Sequence, residues 1–229
     1  MLHPFFSYFG SKYRLAKLYP APLFDTIIEP FAGSAGYSLK HYQKNVFLYE
    51  AYEPIVLLWN YLINVSKEEI LNLPIGPFDK NNPIDKENIA IEAKTLIGFW
   101  LTESQTSSSR YPLSASRGGN WTENKKKLIA NQLDYIRHWK VEKKSFEEID
   151  NTSATWYVDP PYQKAGKRYK FNKIDYNNLG QWCKSRSGQI IVCEQEGADW
   201  LTFDSLAHSR NGSNKQYKEL IYHNLNSEM

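Results

Sequence analysis

Residues 155–162 constrain the fold of this chain more than any other stretch, because an apolar, β-prone run ends there in an acid and two prolines. The run predicts a buried strand that stops at Asp159, since Pro160 and Pro161 cannot donate hydrogen bonds to a sheet. A residue before a proline is pushed out of the helical region, so Asp159 stays extended at the strand's end. The sequence therefore predicts a rigid lip at the carboxyl edge of a sheet, followed by the ring of Tyr162.

The chemistry of this lip suits a flat substrate that carries an exocyclic amine. Asp159 and the Pro160 carbonyl can each accept one N–H of the amine, and Tyr162 can stack on the ring. Stacking of this kind contributes about 1–3 kcal/mol per base. The alternative interpretation is an ordinary exit from a strand into a loop.

A second unit that can hold a ligand lies near the amino terminus. A strand at residues 26–29 leads into the small residues of 30–36, and a helix is predicted over about 33–43. Doubly wound folds build nucleotide pockets from such units, where free N–H groups at the helix start can bind a carboxylate. Because a third glycine and the lysine of a phosphate-binding loop are both missing, a small zwitterionic ligand fits better than a dinucleotide or a triphosphate.

The next predicted strand, residues 46–49, ends in Glu50. An acid at this point grips the hydroxyls of a ribose in doubly wound folds. The alternative is an exposed acid at a strand end. Later elements continue the pattern, with a helix capped by Asp175, a buried strand at 189–193 and a closing hairpin that includes 217–222. The expected fold class is therefore α/β.

Composition narrows the class of protein. With 41% hydrophobic and 23% charged residues, the chain resembles a soluble globular protein, and no apolar run is long enough to span a membrane. The start of the chain does not read as a signal peptide. Two cysteines, Cys183 and Cys193, make neither a disulfide framework nor a zinc site. We expect a reduced, cytoplasmic protein that needs no metal.

Basic charge is concentrated in two stretches although the net charge is only +3. Residues 105–145 carry nine Lys/Arg against three Asp/Glu, and residues 163–170 carry four basic residues and no acid. Segregation of this kind is expected where particular loops face a polyanion. The alternative is a solvated face with scattered counter-charges.

The alternation of strands and helices lapses between residues 67 and 145. Helices are predicted near 85–102 and 122–139, and a polar, glycine-containing stretch with basic and aromatic residues separates them. Loops this long inside compact chains usually serve a function. We predict an insert over 67–145 within a domain formed by 1–66 and 146–229.

Four features stand in a fixed order along the chain: Tyr8-Phe9-Gly10-Ser11-Lys12, Glu29-Pro30-Phe31-Ala32-Gly33-Ser34-Ala35-Gly36, Glu50 and Asp159-Pro160-Pro161-Tyr162. Together they resemble the Dam-type (alpha-group) family of DNA adenine-N6 methyltransferases. The resemblance implies a Rossmann-like, doubly wound methyltransferase sheet with a mostly helical and loop-built target-recognition insert at 67–145. It also implies S-adenosylmethionine as methyl donor, double-stranded DNA as partner and, for such enzymes, a cognate restriction nuclease.

The resemblance assigns site residues by position. The catalytic residues would be Asp159, Pro160, Pro161 and Tyr162. The donor would be bound by residues from all the matching motifs, namely Tyr8, Lys12, Glu29, Pro30, Phe31, Ala32, Gly33, Ser34, Gly36, Glu50, Phe146 and Asp159.

Three departures from the family pattern affect the donor site. The family has a tryptophan where this chain has Tyr8, and the second glycine of the 30–36 loop comes one residue late, at Gly36. An Asp-Phe pair that contacts the adenine of the donor is replaced by Ser145 and Phe146. Phe146 could still stack on that ring.

Contacts to DNA are predicted from residue type and location. Arg110 could read guanine edges and Gln105 or Asn120 adenine edges, while neighbouring lysines hold phosphates. The full predicted set is Gln105, Arg110, Arg117, Asn120, Lys125, Lys126, Lys127, Lys164, Lys167 and Arg168. Because adenine's amine is buried in a duplex, the base has to be flipped out. Two alternatives stay open, a methyltransferase for another planar amine, such as one in RNA, and a non-catalytic DNA-binding module.

Overall fold

The computed structural model describes residues 1–102, 105–112, 120–210 and 216–224. Within these ranges a seven-stranded sheet is formed by β1 (Thr26–Glu29), β2 (Asn45–Glu50), β3 (Lys140–Lys143), β4 (Ala154–Val158), β5 (Gly188–Gln195), β6 (Asp204–Arg210) and β7 (Gln216–His223). The α-helices are α1 (Glu53–Asn64), α2 (Lys67–Asn72), α3 (Ile91–Thr102), α4 (Glu123–Ala130) and α5 (Tyr176–Lys184). Short 3₁₀ helices cover Ile84–Lys86, Leu133–Ile136, Phe146–Glu148 and Gly166–Arg168.

The strands lie in the order β3-β2-β1-β4-β5-β7-β6. β1 pairs in parallel with β2 and β4, β2 with β3, and β4 with β5, whereas β7 pairs antiparallel with β5 and β6. The chain order reverses between β1 and β4, and ligands of open α/β sheets bind at such a switch point. This topology confirms the predicted Rossmann-like methyltransferase sheet.

Two cores, one on each face, sandwich the sheet. Along β4, Tyr157 packs into the core shared with α1 and α3, while its neighbours Trp156 and Val158 pack into the core shared with α5. Successive side chains of a strand point to opposite faces, so an apolar run without alternation is what a doubly covered strand requires. The buried strand predicted from residues 154–158 is confirmed on both faces.

The helix predicted over about 33–43 is wrong, because this segment is a run of turns. Ala35 has a left-handed φ of 51°, and the Ser38 N–H donates to the Glu29 carboxylate at 2.9 Å. One bond, from the Leu39 N–H to the Ala35 carbonyl at 2.9 Å, spans four residues as in an α-helix. The N–H groups that follow bond to carbonyls only three residues earlier, as in the bond from His41 N–H to Ser38 O at 3.0 Å. These bonds give tight turns instead of a regular helix.

The predicted insert is not wholly separate from the sheet. β3 (Lys140–Lys143) is an outer strand, and side chains of α3 and α4 pack into the main core with α1. The charged sequence of β3 lacks an apolar run, as is common for strands at a sheet edge, and so gives no strand pattern. A target-recognition role for 67–145 stays a prediction.

Both cysteines are buried in regular elements. Cys183 in α5 and Cys193 in β5 are buried free thiols. Among the described residues, no helix combines the length and the hydrophobicity that a membrane-spanning segment requires.

Candidate active site

A cleft of about 700 Å³, counting space open to solvent, lies at the carboxyl ends of β1, β2 and β4. Its lining joins the four sequence features to one another and includes Tyr8, Lys12, Glu29, Phe31, Ala32, Gly33, Ser34, Gly36, Glu50, Tyr52, Asp159, Pro161, Tyr169 and Phe171. The strand order therefore brings together residues that are more than 150 positions apart in sequence.

The loop after β1 forms one wall of the cleft. Gly33 has a φ of 44°, and a Cβ there would lie 3.2 Å from the ring of Tyr8. The loop is fixed from behind by the indole N–H of Trp59, which donates to the Gly33 carbonyl at 2.9 Å. Ala35, which stands where the family pattern has its second glycine, holds a left-handed backbone that favours glycine.

The displaced glycine has a structural explanation. A Cβ at Gly36 would lie 2.6 Å from the backbone nitrogen of Tyr13 and 2.9 Å from the carbonyl carbon of Lys12. Glycine here lets the amino-terminal segment pack directly on the loop, where Ser34 also donates to Ser11 at 2.9 Å. The shift therefore serves to place Lys12 in the cleft.

Glu50 lies at the end of β2 with its carboxylate in the cleft. It accepts hydrogen bonds from the backbone N–H groups of Gly33 at 3.2 Å and Tyr52 at 3.0 Å. Burial raises the pKa of Glu50, and the backbone donors oppose that shift. An acid held in this way is placed as the ribose-binding prediction requires, and its role stays a prediction.

The lip carries an ion pair. Lys12 Nζ lies 2.9 Å from Asp159 Oδ1 and 3.1 Å from Oδ2, and 4.6 Å from the centre of the Tyr162 ring. Burial raises the pKa of Asp159 to about 6, although the Lys12 ammonium opposes the shift. Burial alone would lower the pKa of Lys12, but the carboxylates of Asp159 and Glu219 raise it instead.

Glu219, on β7, is a site residue that the sequence did not reveal. It is 1% exposed, accepts a hydrogen bond from the Tyr19 hydroxyl at 2.8 Å and another from the Tyr162 hydroxyl, and lies 4.0 Å from Lys12 Nζ. Its only sequence signal is an acid within a strand that is otherwise half apolar. That signal was not enough, because β7 reaches the site from across the sheet.

Some predicted site residues lie outside the lining of the cleft within the described chain. Pro30 and Pro160 are buried, and the Tyr162 ring is turned to Lys12 and Glu219. Phe146 belongs to the second core, 5.7 Å from Phe31, which itself lines the cleft. Phe146 therefore supports Phe31 from behind, and its direct contact with a donor stays a prediction.

Glu29 lies at the base of the cleft and is almost fully buried. Burial raises its pKa to about 8, while the bond from Ser38 opposes that shift. With this pKa, Glu29 is mostly protonated at neutral pH. It ties β1 to the turn segment in this structure.

The loop that follows the lip closes one side of the cleft. The Tyr169 hydroxyl donates to the Phe9 carbonyl at 3.1 Å, and Thr106 Oγ1 donates to the Arg168 carbonyl at 3.0 Å. Thus the two basic stretches of the sequence meet beside the lip. Lys164 and Lys167 in this loop are exposed, as is Arg168.

The three lysines of the insert that were predicted to contact phosphates differ in their exposure. Lys126 is 3% exposed and donates to the Leu73 carbonyl at 2.7 Å, so its predicted phosphate contact is wrong. The helical period of α4 turns it inward together with Ile129 and Ala130. Lys127 is exposed, whereas Lys125 is half-buried with Nζ 3.8 Å above the Trp100 ring.

The other predicted base-reading residues have these surroundings. Arg110 is 74% exposed and pairs with Asp85 at 2.7 Å, and Asn120 is exposed. Gln105 is half-buried, and its carbonyl accepts from Phe9 N at 3.2 Å, next to the cleft. Arg117 lies outside the described residues. Base contacts by these residues stay predictions.

No protein-family model and no curated protein sequence matches the chain. Solved structures of weak similarity include the Escherichia coli protein named "putative methyltransferase yhhF" (TM-score 0.35, 11% identity, 86% of this chain and 74% of that one). A Haemophilus influenzae protein, "putative methylase HI0767", has TM-score 0.36 and 13% identity over 88% and 80% of the two chains. A conserved hypothetical protein of Streptococcus pyogenes has TM-score 0.34 and 8% identity over 86% and 84%. Likeness at this level indicates nothing about activity.

Proposed function

We propose that this protein is an S-adenosylmethionine-dependent methyltransferase that methylates the exocyclic amine of adenine in double-stranded DNA. One observation carries the proposal. The carboxylate of Asp159, at the end of β4, lies in the same cleft as Glu50 and the loop after β1. In the proposed function an acceptor for an amine and a site for a ribose-containing donor would share one cavity at the switch point of the sheet.

The lining of the cleft fits the proposed donor. Glu50 would hold the ribose hydroxyls, the small residues around Gly33 would meet the methionine part, and the rings of Tyr52 and Phe171 would flank the adenine. These two rings lie 6.4 Å apart, centre to centre. When bound, the donor supplies a methyl group attached to a positively charged sulfur.

The lip would activate the target amine. Adenine's exocyclic nitrogen is a poor nucleophile because its lone pair is delocalised into the ring. Asp159 would accept one of its protons and the Pro160 carbonyl the other, which favours a nitrogen with a localised lone pair. The neighbouring Pro161 carbonyl already accepts from the Tyr176 hydroxyl at 2.6 Å.

Asp159 would also stabilise the charge that develops during the reaction. As the new carbon–nitrogen bond forms and the bond between the methyl group and sulfur breaks, the positive charge would pass to the nitrogen, and a fixed carboxylate in a partly buried site would favour that state. Loss of one proton from the nitrogen restores a neutral amine, and Asp159 is the nearest base. Below pH about 6 the carboxyl is mostly protonated in the free protein and lacks the negative charge that would stabilise the developing cation.

Surroundings of the lip favour nucleic acid as the substrate. The exposed side chains of Lys164, Lys167 and Arg168 lie on the loop that follows the lip, and positive charge on a protein surface is what binds phosphates. A flipped base would enter beside Tyr162, at a cost of a few kcal/mol for unstacking. The choice of duplex DNA over RNA follows from the resemblance to the Dam-type family.

Transfer of a tritiated methyl group to three polymers tests the proposal. Wild-type protein and Asp159→Asn are incubated with labelled donor and, separately, with duplex DNA, single-stranded DNA and RNA. We expect label in duplex DNA with the wild type and none with Asp159→Asn, an uncharged variant of nearly equal size. Label in RNA alone, or in no polymer, would contradict the proposed function.

A further inference from the structure

Glu219 is a buried carboxylate for which the proposed reaction has so far no use. It lies on β7, which runs antiparallel to the strands that build the lip. Two hydroxyls, of Tyr19 and Tyr162, donate to its Oε1 atom. A buried acid is costly unless it is hydrogen-bonded or paired, so this arrangement fixes both the position and the direction of the carboxylate.

Lys12 lies between Glu219 and Asp159 but is not shared equally. Its ammonium contacts both oxygens of Asp159, at 2.9 and 3.1 Å, and is 4.0 Å from Glu219. A third donor direction is used by the Gly10 carbonyl at 3.0 Å. In this state the ammonium occupies the carboxylate that, in the proposed reaction, has to receive the target amine.

We propose that Glu219 is a positioning residue that takes over the Lys12 ammonium when the target amine binds, and so frees Asp159 to act as acceptor. The inference rests on the proposed function. A displacement of Lys12 Nζ by about 1.1–1.3 Å would bring it from 4.0 Å to the distance of a charge-assisted hydrogen bond, about 2.7–2.9 Å.

The charges of the cluster match this exchange. Two carboxylates and one ammonium carry one excess negative charge in the free site. When positive charge grows on the target nitrogen, that nitrogen pairs with Asp159 and Lys12 pairs with Glu219, so each cation has its own carboxylate. The other titratable groups that face this cluster are Tyr19, Tyr157, Tyr162, Tyr169, Cys193 and Glu29.

The crystal structure of Asp159→Asn tests the exchange without any methyl transfer. Removing the charge of Asp159 should send the ammonium to its second carboxylate. We expect Lys12 Nζ within about 2.7–3.0 Å of a Glu219 oxygen. An ammonium that stays about 4 Å or farther from Glu219 would overturn the proposal, even if the protein proves to be a methyltransferase.

Kinetics of Glu219→Gln give a second readout. Glutamine keeps a carbonyl oxygen for the two tyrosine hydroxyls but loses the charge. We expect kcat to fall about 10- to 100-fold, the loss of one hydrogen bond to a charged group, with the KM for the donor unchanged. The acid limb of the pH profile should move to lower pH, because the Glu219 charge raises the pKa of Asp159.

Two controls separate this role from a merely structural one. Tyr19→Phe removes one hydrogen bond to Glu219 but not its charge, and Glu196→Gln removes an exposed acid near β7. Neither should move the acid limb. A Glu219→Gln protein with unchanged kcat, or with an unmoved acid limb, would refute the proposal. If the wild type transfers no methyl group, the proposed function fails and the Asp159→Asn structure still decides the exchange.

Discussion

Among the described residues two lysines are almost fully buried, one at the candidate site and one in the predicted insert, and their surroundings differ. Lys12 is 7% exposed and contacts Asp159, with Glu219 close by. Lys126 is 3% exposed and donates to the Leu73 carbonyl and, at 3.3 Å, to Glu123, whose side chain is 57% exposed.

The difference separates a lysine that stabilises the fold from a lysine that belongs to the candidate site. Lys126 satisfies the carbonyl of Leu73, the residue that caps the end of α2, and so ties α2 to α4. A cation is favoured at the carboxyl end of a helix. Lys12 instead lies among more negative charge than it can neutralise, in a cleft that is open to ligands. In the proposed reaction, this surplus negative charge would stabilise the positive charge that develops on the target nitrogen.

The largest expected effect is at the lip. Asp159→Ala should abolish methyl transfer, because it removes both an acceptor for the amine and the nearest stabilising charge. The fold should survive, since the side chain lies at a strand end and is 21% exposed. Turnover is measured by label transfer and folding by circular dichroism. Near-normal turnover in this variant would refute the mechanism.

Exchange of each buried lysine for methionine sharpens the comparison directly. Lys12→Met should move the acid limb of the activity profile above pH about 6, because Lys12 lowers the pKa of Asp159 and its loss lets that pKa rise. Lys126→Met should leave the limb in place and lower the free energy of unfolding by about 1–3 kcal/mol, the cost of an unpaired buried carbonyl. If the acid limb of the pH–activity profile stays in place in Lys12→Met, the claim that Lys12 acts on Asp159 is wrong.

Glu50→Ala should weaken binding of the donor product S-adenosylhomocysteine about 10- to 100-fold, the loss of a charged hydrogen bond. DNA affinity without donor should hardly change. Calorimetry measures both, and Glu53→Ala, at the exposed start of α1, is the control. Equal binding by Glu50→Ala and wild type would make Glu50 an ordinary strand-end acid.

Tyr162 should act through its ring more than through its hydroxyl. Tyr162→Ala should weaken the productive binding of target DNA by about 1–3 kcal/mol if the ring stacks on the base. Tyr162→Phe keeps the ring but loses the bond to Glu219, so it should cost about 0.5–1.5 kcal/mol. KM for duplex DNA is the measured quantity. Equal losses in the two variants would assign the effect to the hydroxyl.

The smallest expected effect concerns phosphate contacts. Lys164→Ala should reduce the slope of log affinity against log salt by about 0.9 if this exposed lysine neutralises one phosphate. Lys126→Met should leave the slope unchanged, because that ammonium is inside the protein. Binding titrations over a salt series compare them. A slope that changes in Lys126→Met but not in Lys164→Ala would contradict the proposal that the loop after the lip contacts the phosphates.

Local pattern predicted the strands and the lip because their signals lie in neighbouring residues. The apolar runs of β1, β2, β4 and β5 pack against the rest of the protein on both faces of the sheet. The two prolines end β4 by their own chemistry, whatever structure follows them. The cap of α5 by Asp175, which accepts from Asn178 N at 3.0 Å, was equally local. In contrast, β3 was missed since a charged edge strand has no apolar period.

The features that sequence could not supply depend on tertiary neighbours. Gly36 looked like a misplaced glycine until the backbone of Lys12 was found against it. Lys126 looked like part of a basic run, but the turn of α4 buries it. Glu219 joins the lip from 60 residues away, across one parallel and one antiparallel strand pairing. Periodicity within a segment carries no information about contacts of this kind.

Sequencing of modified bases in DNA tests the central claim most directly. A host that lacks adenine methylation of its own expresses either the wild type or Asp159→Ala at equal level. The account predicts N6-methyladenine at one short recurring sequence with the wild type and none with Asp159→Ala. Unmodified adenine in both, or the same modification in both, would contradict the claim that this lip methylates DNA.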